Sequence, residues 1–204
     1  MSTSHQPAAL PGAPQIVEGR SCEGCTLCCK LIAVREFDKP RGVWCTHCDI
    51  GRGCKIHGTH PDNCRSFLCS YLLNPALDER WKPAKSKLVL LQSDMLGAPR
   101  LVVHVDTARP DAWREQPFYG YLKSWVKATA PAKGQVLVWI GPKTIVVLPD
   151  RDRDLGEVKP DQVIVTWEEK GPFGSTLDVS VVHKDDPRLA NAAHGAAPPG
   201  QAFG

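Results

Sequence analysis

The residues that could do chemistry are nine cysteines, all between Cys22 and Cys69. They stand as Cys22-x2-Cys25-x2-Cys28-Cys29, then Cys45-x2-Cys48, Cys54, Cys64 and Cys69, and no cysteine follows. A thiolate is a soft anionic ligand suited to zinc and to iron–sulfur clusters. Two cysteines two residues apart let one tight turn offer both sulfurs to one metal. Gly24 eases such a turn. All nine are candidate metal ligands, for an iron–sulfur cluster or for Zn2+.

The spacing allows more than one partition. Cys22, Cys25 and Cys28 form the C-x2-C-x2-C run that wraps three corners of a four-iron cluster, with a fourth ligand from a distance, although no proline follows the last cysteine. Alternatively Cys22-x2-Cys25 and Cys45-x2-Cys48, nineteen residues apart, match a four-cysteine zinc site and leave five thiols for a second metal or a structural role. On a helix, Cys22, Cys25 and Cys29 would share a face with Cys28 aside, so the adjacent pair could serve two centres. Both partitions stand, and the triple run inclines the choice toward iron–sulfur. His47, His57 and His60 lie among the cysteines, and Cys54-x2-His57 has a spacing that zinc could use. Nine thiols exceed what one metal needs, so the histidines are expected behind the ligands or in solvent. Arg65 could neutralise thiolate charge, and Trp44 and Phe67 read as packing.

These motifs together resemble the bacterial CxxCxxCC family of zinc- or iron-chelating, YkgJ-like cysteine-cluster proteins. The resemblance rests on Cys22-x2-Cys25-x2-Cys28-Cys29, Gly42-Val-Trp-Cys45-x-His-Cys48, Gly53-Cys54-Lys-Ile-His57 and Pro61-x2-Cys64-Arg65-x-Phe67-x-Cys69. It covers about residues 20 to 83. The family pattern commonly has an aromatic where His57 stands and Arg-Pro where His60-Pro61 stands, and Cys48 has a counterpart in only some members. The resemblance implies metal or cluster binding, with no defined reaction. A flagellin lysine methylase is similar in its cysteine cluster, but this chain shows no glycine-rich cofactor loop.

The elements that must position the cysteines follow from the rest of the 204 residues. Residues 1–19 and 185–204 are too poor in apolar side chains to offset their ordering entropy and are expected to be disordered arms. Residues 20–83, the cysteine module, carry few long apolar runs, so a metal is expected to replace the core they lack. Residues 84–184 read as an antiparallel sheet with one main helix. Lys87–Ser93 and Arg100–Asp106 form one hairpin, Gln135–Ile140 and Lys143–Leu148 a second around Gly141-Pro142, and Asp161–Trp167 and Thr176–His183 two more strands. Phe118–Ala130 has helical spacing and stops before Pro131. The fold class expected is α+β.

A net charge of +3 from interspersed residues, with no basic run, argues against nucleic-acid binding. The chain shows neither a secretory leader nor a membrane-spanning segment, so a cytoplasmic protein with reduced thiols is expected, its partner being the metal or cluster and any protein partner unknown. His104, Asp106, Asp178 and His183 are the polar candidates in the sheet. They make no recognisable nucleophile, base and orienting group, and no catalytic residue is assigned. His104 and Asp106 share a strand face opposite Leu101, Val103 and Val105, and are expected to face solvent. Two other classes remain: a cluster-dependent redox or protein-modifying enzyme, and a zinc-stabilised protein-interaction module.

Overall fold

The first hairpin forms where apolar residues crowd two strands on either side of a turn. These are β3 (Leu88–Met95) and β4 (Ala98–Val105), antiparallel with Leu88 opposite Val105 and Leu90 opposite Val103. The computed structural model describes residues 14–95, 98–171, 174–187 and 189. The expected arm through residue 13 and most of the expected tail lie outside the described residues. Ahead of β3 the cysteine segment contributes four short helices, α1 (Leu27–Leu31), α2 (Asp62–Arg65), α3 (Ser70–Leu73) and α4 (Pro83–Ser86). It also holds a two-stranded ribbon, β1 (Cys48–Asp49) with β2 (Gly53–Cys54).

The chain then runs from β4 through α5 (Phe118–Thr129) into β5 (Gln135–Ile140), turns at Gly141 into β6 (Lys143–Val147), and adds β7 (Asp152–Glu157). The five-stranded sheet has the order β3-β4-β5-β6-β7. Its class is α+β, but the expected all-antiparallel sheet is corrected at one pair: β4 and β5 are parallel, Val103 beside Val138. The cause is the connection. Phe118, Leu122 and Val126 recur every four residues on α5 and are all buried, so the helix must lie on the sheet. A crossover that contains a helix delivers the next strand parallel. Beyond the sheet, β8 (Gln162–Gly171) and β9 (Gly174–His183) make a separate hairpin.

Both faces of the sheet are covered. Leu101, Val103, Val105, Val136 and Val138 meet Phe118, Leu122 and Val126 of α5 in one core cluster. Leu137, Val146 and Leu148 on the other side pack against Val179 of β9. The cysteine segment is not without a core: Leu27, Leu31, Tyr71, Leu72, Leu77 and Trp81 belong to the same cluster as the α5 face. Trp81 sets its ring edge-on to Phe118 and Tyr121, each at 4.8 Å. The apolar residues of this segment are dispersed between polar ones, so they show no strong period, yet the short helices collect them against the sheet.

The same packing overturns the expected exposure of His104 and Asp106, which are 4% and 7% exposed. His104 lies edge-on to Trp139 at 4.9 Å, the Arg41 guanidinium covers that indole at 4.2 Å, and Asp106 is taken by Lys30 of α1. The polar face of β4 is thus closed by the cysteine segment. Among the described residues, no helix is long and apolar enough to cross a membrane.

Candidate metal centre

Each thiol is placed by local backbone geometry. The Cys25 N–H donates to the Cys22 carbonyl at 2.9 Å, closing a turn in which Gly24 has φ 67°, a left-handed value that glycine reaches without strain. Helix α1 begins only at Leu27, so Cys22 and Cys25 stand ahead of it, and the helical face expected for Cys22, Cys25 and Cys29 is replaced by a turn followed by a helix. Leu27 and Leu31 point into the core, which leaves Cys28 and Cys29 half-buried on the flank of α1. The Cys48 N–H donates to the Cys45 carbonyl at 3.0 Å in a second turn of the same kind, and the Cys45 N–H donates to the Cys29 carbonyl at 3.0 Å, tying that turn to α1. Cys48 pairs with Cys54 across the ribbon, and the Gly51 N–H at the ribbon tip donates to the buried Thr26 hydroxyl at 3.0 Å. Cys64 lies in α2, and Cys69, 7% exposed, directly precedes α3.

All nine cysteines are free thiols, and several act on one another electrostatically. Burial, then the neighbouring Cys69, Cys25 and Cys29, push the Cys22 thiol up. Cys29 rises through its hydrogen bond to Cys28 and through burial. Cys48 is pushed up to about 11 by burial and then by Cys29. Burial followed by Cys29, Cys45, Glu36 and Cys54 raises Cys64. Burial raises Cys69 against the backbone N–H groups that favour its thiolate. The shared cause is that an anion here is partly dehydrated and sits beside other potential anions. A bound cation reverses that sign, because a coordinated thiol is deprotonated outright and its proton is released.

The histidines have partners of their own. His57 is exposed and stacks on His60 with ring centres 5.0 Å apart, and the Nδ1 of His60 accepts the Gly58 N–H at 3.2 Å. His47 lies against Phe37 at 4.9 Å. Arg65, exposed, pairs with Asp62 at 3.3 Å and donates to the His60 carbonyl at 3.2 Å, so it does not serve as a counter-charge to sulfur. In the sheet, Asp178 pairs with Arg151 at 3.2 Å and Arg153 at 3.4 Å, and His183 stands exposed between Asp161 and Asp185.

Sequence reasoning missed Lys39 and Arg20. Lys39 is buried beside Cys45, Cys29, Cys28 and Cys64; burial lowers its pKa, and those four neighbours work in the opposite direction. Its position is set by a bridge in which Val34 and Lys39 exchange N–H···O bonds of 2.9 and 3.0 Å around a tight loop, with Asp38 left-handed at φ 48°. Arg20 donates to the carbonyls of Tyr71, Asn74 and Leu77 and so fixes the chain entering the first cysteine turn to the end of α3. Neither lysine nor arginine at these positions carries a spacing signal.

Among the described residues, no three His, Cys, Asp or Glu side chains stand in a group that could hold a metal ion. The donor set nonetheless fits a soft metal in chemistry: nine free thiols, two closed C-x2-C turns, and no disulfide that competes for the sulfurs. No protein-family model matches the chain, and neither a characterised protein nor a solved structure is significantly similar to it.

Proposed function

We propose that this is a cytoplasmic metal-binding protein whose segment from Cys22 to Cys69 holds an iron–sulfur cluster or one to two zinc ions, with iron–sulfur the favoured occupant. The observation that carries the reading is the gathering of the free thiols. Cys22 lies within electrostatic reach of Cys69, Cys25 and Cys29, Cys29 of Cys28 and Cys48, and Cys64 of Cys29, Cys45 and Cys54, although up to 47 positions separate these cysteines along the chain (69 − 22). A fold that needed cysteine only as a small apolar residue would have little reason to set so many within reach of Cys29. Cys22, Cys25, Cys28, Cys29, Cys45, Cys48, Cys54, Cys64 and Cys69 would supply the ligands.

When bound, a cluster would supply one-electron chemistry, and zinc a redox-silent cross-link. The chain's own part is to present the thiols on hydrogen-bonded turns and to limit water around them. His104 and Asp106 offer nothing further, since one is packed against Trp139 and the other is paired with Lys30. The spacing resemblance to the CxxCxxCC family supports the same reading.

The test is anaerobic purification followed by a visible spectrum and elemental analysis for iron, zinc and acid-labile sulfide. Iron in balance with sulfide and a brown protein are expected. A colourless protein with one or two zincs would select the zinc form, and a Cys25→Ser/Cys28→Ser variant with unchanged metal content would defeat both.

A further inference from the structure

Lys39 is buried, and among the described residues no Asp or Glu pairs with it. Its Nζ donates instead to three backbone carbonyls, Lys30 at 3.2 Å, Pro40 at 3.1 Å and Ile32. Three acceptors around one nitrogen fit an ammonium, which has three donors and no lone pair. A neutral amine would turn a lone pair toward one of the carbonyls. The dipoles of the carbonyls solvate the charge without cancelling it, and a buried charge with no counter-ion is costly.

The groups that act most strongly on Lys39 and can become negative are thiols, Cys45, Cys29, Cys28 and Cys64, with Glu36 also in reach of Cys64. These thiols come from α1, the second C-x2-C turn and α2, so the ammonium stands where separate parts of the cysteine segment meet. Four thiolates on a dication leave roughly two uncompensated negative charges. Three other cations of the segment have partners elsewhere. Lys30 is committed to Asp106 at 2.5 Å, Arg65 is exposed and paired with Asp62, and Arg41 lies over Trp139.

From this geometry, and resting on the metal-centre reading above, we infer that Lys39 is the internal counter-ion of the thiolate set, a positioning residue that offsets the excess negative charge of the occupied centre. Its occupant is therefore a thiolate-rich, net-anionic complex.

The test uses the full chain, reduced and metal-free, titrated with Co2+ against a competing chelator across a pH series. Lys39→Gln keeps amide donors for the carbonyls and removes the charge; Lys39→Arg keeps the charge. Circular dichroism checks that each variant is folded. Lys39→Gln is expected to bind Co2+ about 10- to 100-fold more weakly and to need a higher pH for half-loading, and Lys39→Arg to stay within about threefold of wild type. Wild-type affinity and pH midpoint in Lys39→Gln would overturn the inference, as would a loss in Lys39→Arg equal to that in Lys39→Gln. Should Lys39→Gln not fold, Lys39→Arg decides alone, a tenfold loss counting against the counter-ion role. A wild-type chain that takes up no Co2+, zinc or iron would overturn the metal centre itself. A wild type that binds beside an equally good Lys39→Gln overturns only the role of Lys39.

Discussion

Removing the carboxylate of Asp106 is the sharpest probe of how the sheet holds the cysteine helix. Lys30 Nζ lies 2.5 Å from Asp106 Oδ1, with the two side chains 14% and 10% exposed. Asp106 Oδ1 also accepts the Ala108 N–H at 3.0 Å. Asp106→Asn keeps the shape and an acceptor but leaves the Lys30 ammonium without its charge partner. Breaking one side of a buried ion pair costs about 3–5 kcal/mol. For a chain of this size that corresponds to a melting point lower by about 6 to 20 °C. Lys30→Met should cost a similar amount, and Lys30→Met/Asp106→Leu much less than the two together, because paired charges replaced by apolar side chains are often neutral. Tryptophan-fluorescence melts of the four proteins measure the cycle. Acid provides a second reading. Burial pushes the Asp106 carboxyl up, but Lys30 and the Ala108 N–H outweigh it and hold the group below its ordinary value. With the folded pKa depressed, the stabilisation is present above about pH 4 and fades as pH falls below it. Asp106→Asn should lack that acid limb. A melting point within about 3 °C of wild type, or strict additivity in the cycle, would refute the reasoning.

Burial, with Arg41 and Lys39 nearby, lowers the His104 pKa to about 3. The unfolded chain therefore binds the extra proton at higher pH than the folded one, and stability should fall as pH drops from about 6.5 toward 3, by at most about 1.4 kcal/mol per unit. His104→Leu should flatten that slope in denaturant titrations, and an unchanged slope would assign it to other groups. Gly24→Ala meets open space apart from the Gly51 carbonyl oxygen at 3.8 Å, so its penalty is the left-handed φ of 67°, about 1–2 kcal/mol. It should release metal to a chelator faster than wild type while shifting the melting point by only a few degrees. Equal release would mean that the turn is not part of the bound state. Chelation should leave a cooperative thermal transition, because Leu31, Leu72 and Trp81 are buried in the core shared with the sheet. A metal-free chain that melts without cooperativity would instead make the metal the core of that segment.

The elements with local signals were legible. The hairpins β3–β4 and β5–β6 and helix α5 carry their own period and turn or stop residues within a short span, and β8 and β9 were legible as strands, though not as a hairpin. What escaped depends on contacts distant in sequence. The parallel β4–β5 pair is a property of the crossover, and neither strand shows it alone. β7 reads Asp152-Arg-Asp-Leu-Gly-Glu157, an outer strand with a mostly exposed, charged pattern that offers no apolar alternation. His104 and Asp106 look like the wet side of a half-buried strand until the loop with Arg41 and helix α1 close over them. The candidate thiols were legible because cysteine type and spacing announce themselves. Lys39, in Asp38-Lys39-Pro40, looks like any solvated loop residue, since its burial exists only after the loop has closed on Val34.

Lys30 and Lys39 stand at opposite ends of one short stretch, both withdrawn from water, and they solve that problem differently. Lys30 meets a carboxylate delivered by the end of β4, so its charge serves to dock α1 on the sheet. Lys39 Nζ donates to backbone carbonyls and has thiols nearby. If tying the loop down were the whole requirement, a neutral donor such as glutamine could bond two of those carbonyls without burying a charge. An ammonium there is favoured when something negative stands nearby, and thiols that bind a metal give up their protons and would supply that charge. On the proposed metal-centre reading the two lysines separate the segment's tasks, one holding the scaffold and the other offsetting the charge of the occupied centre.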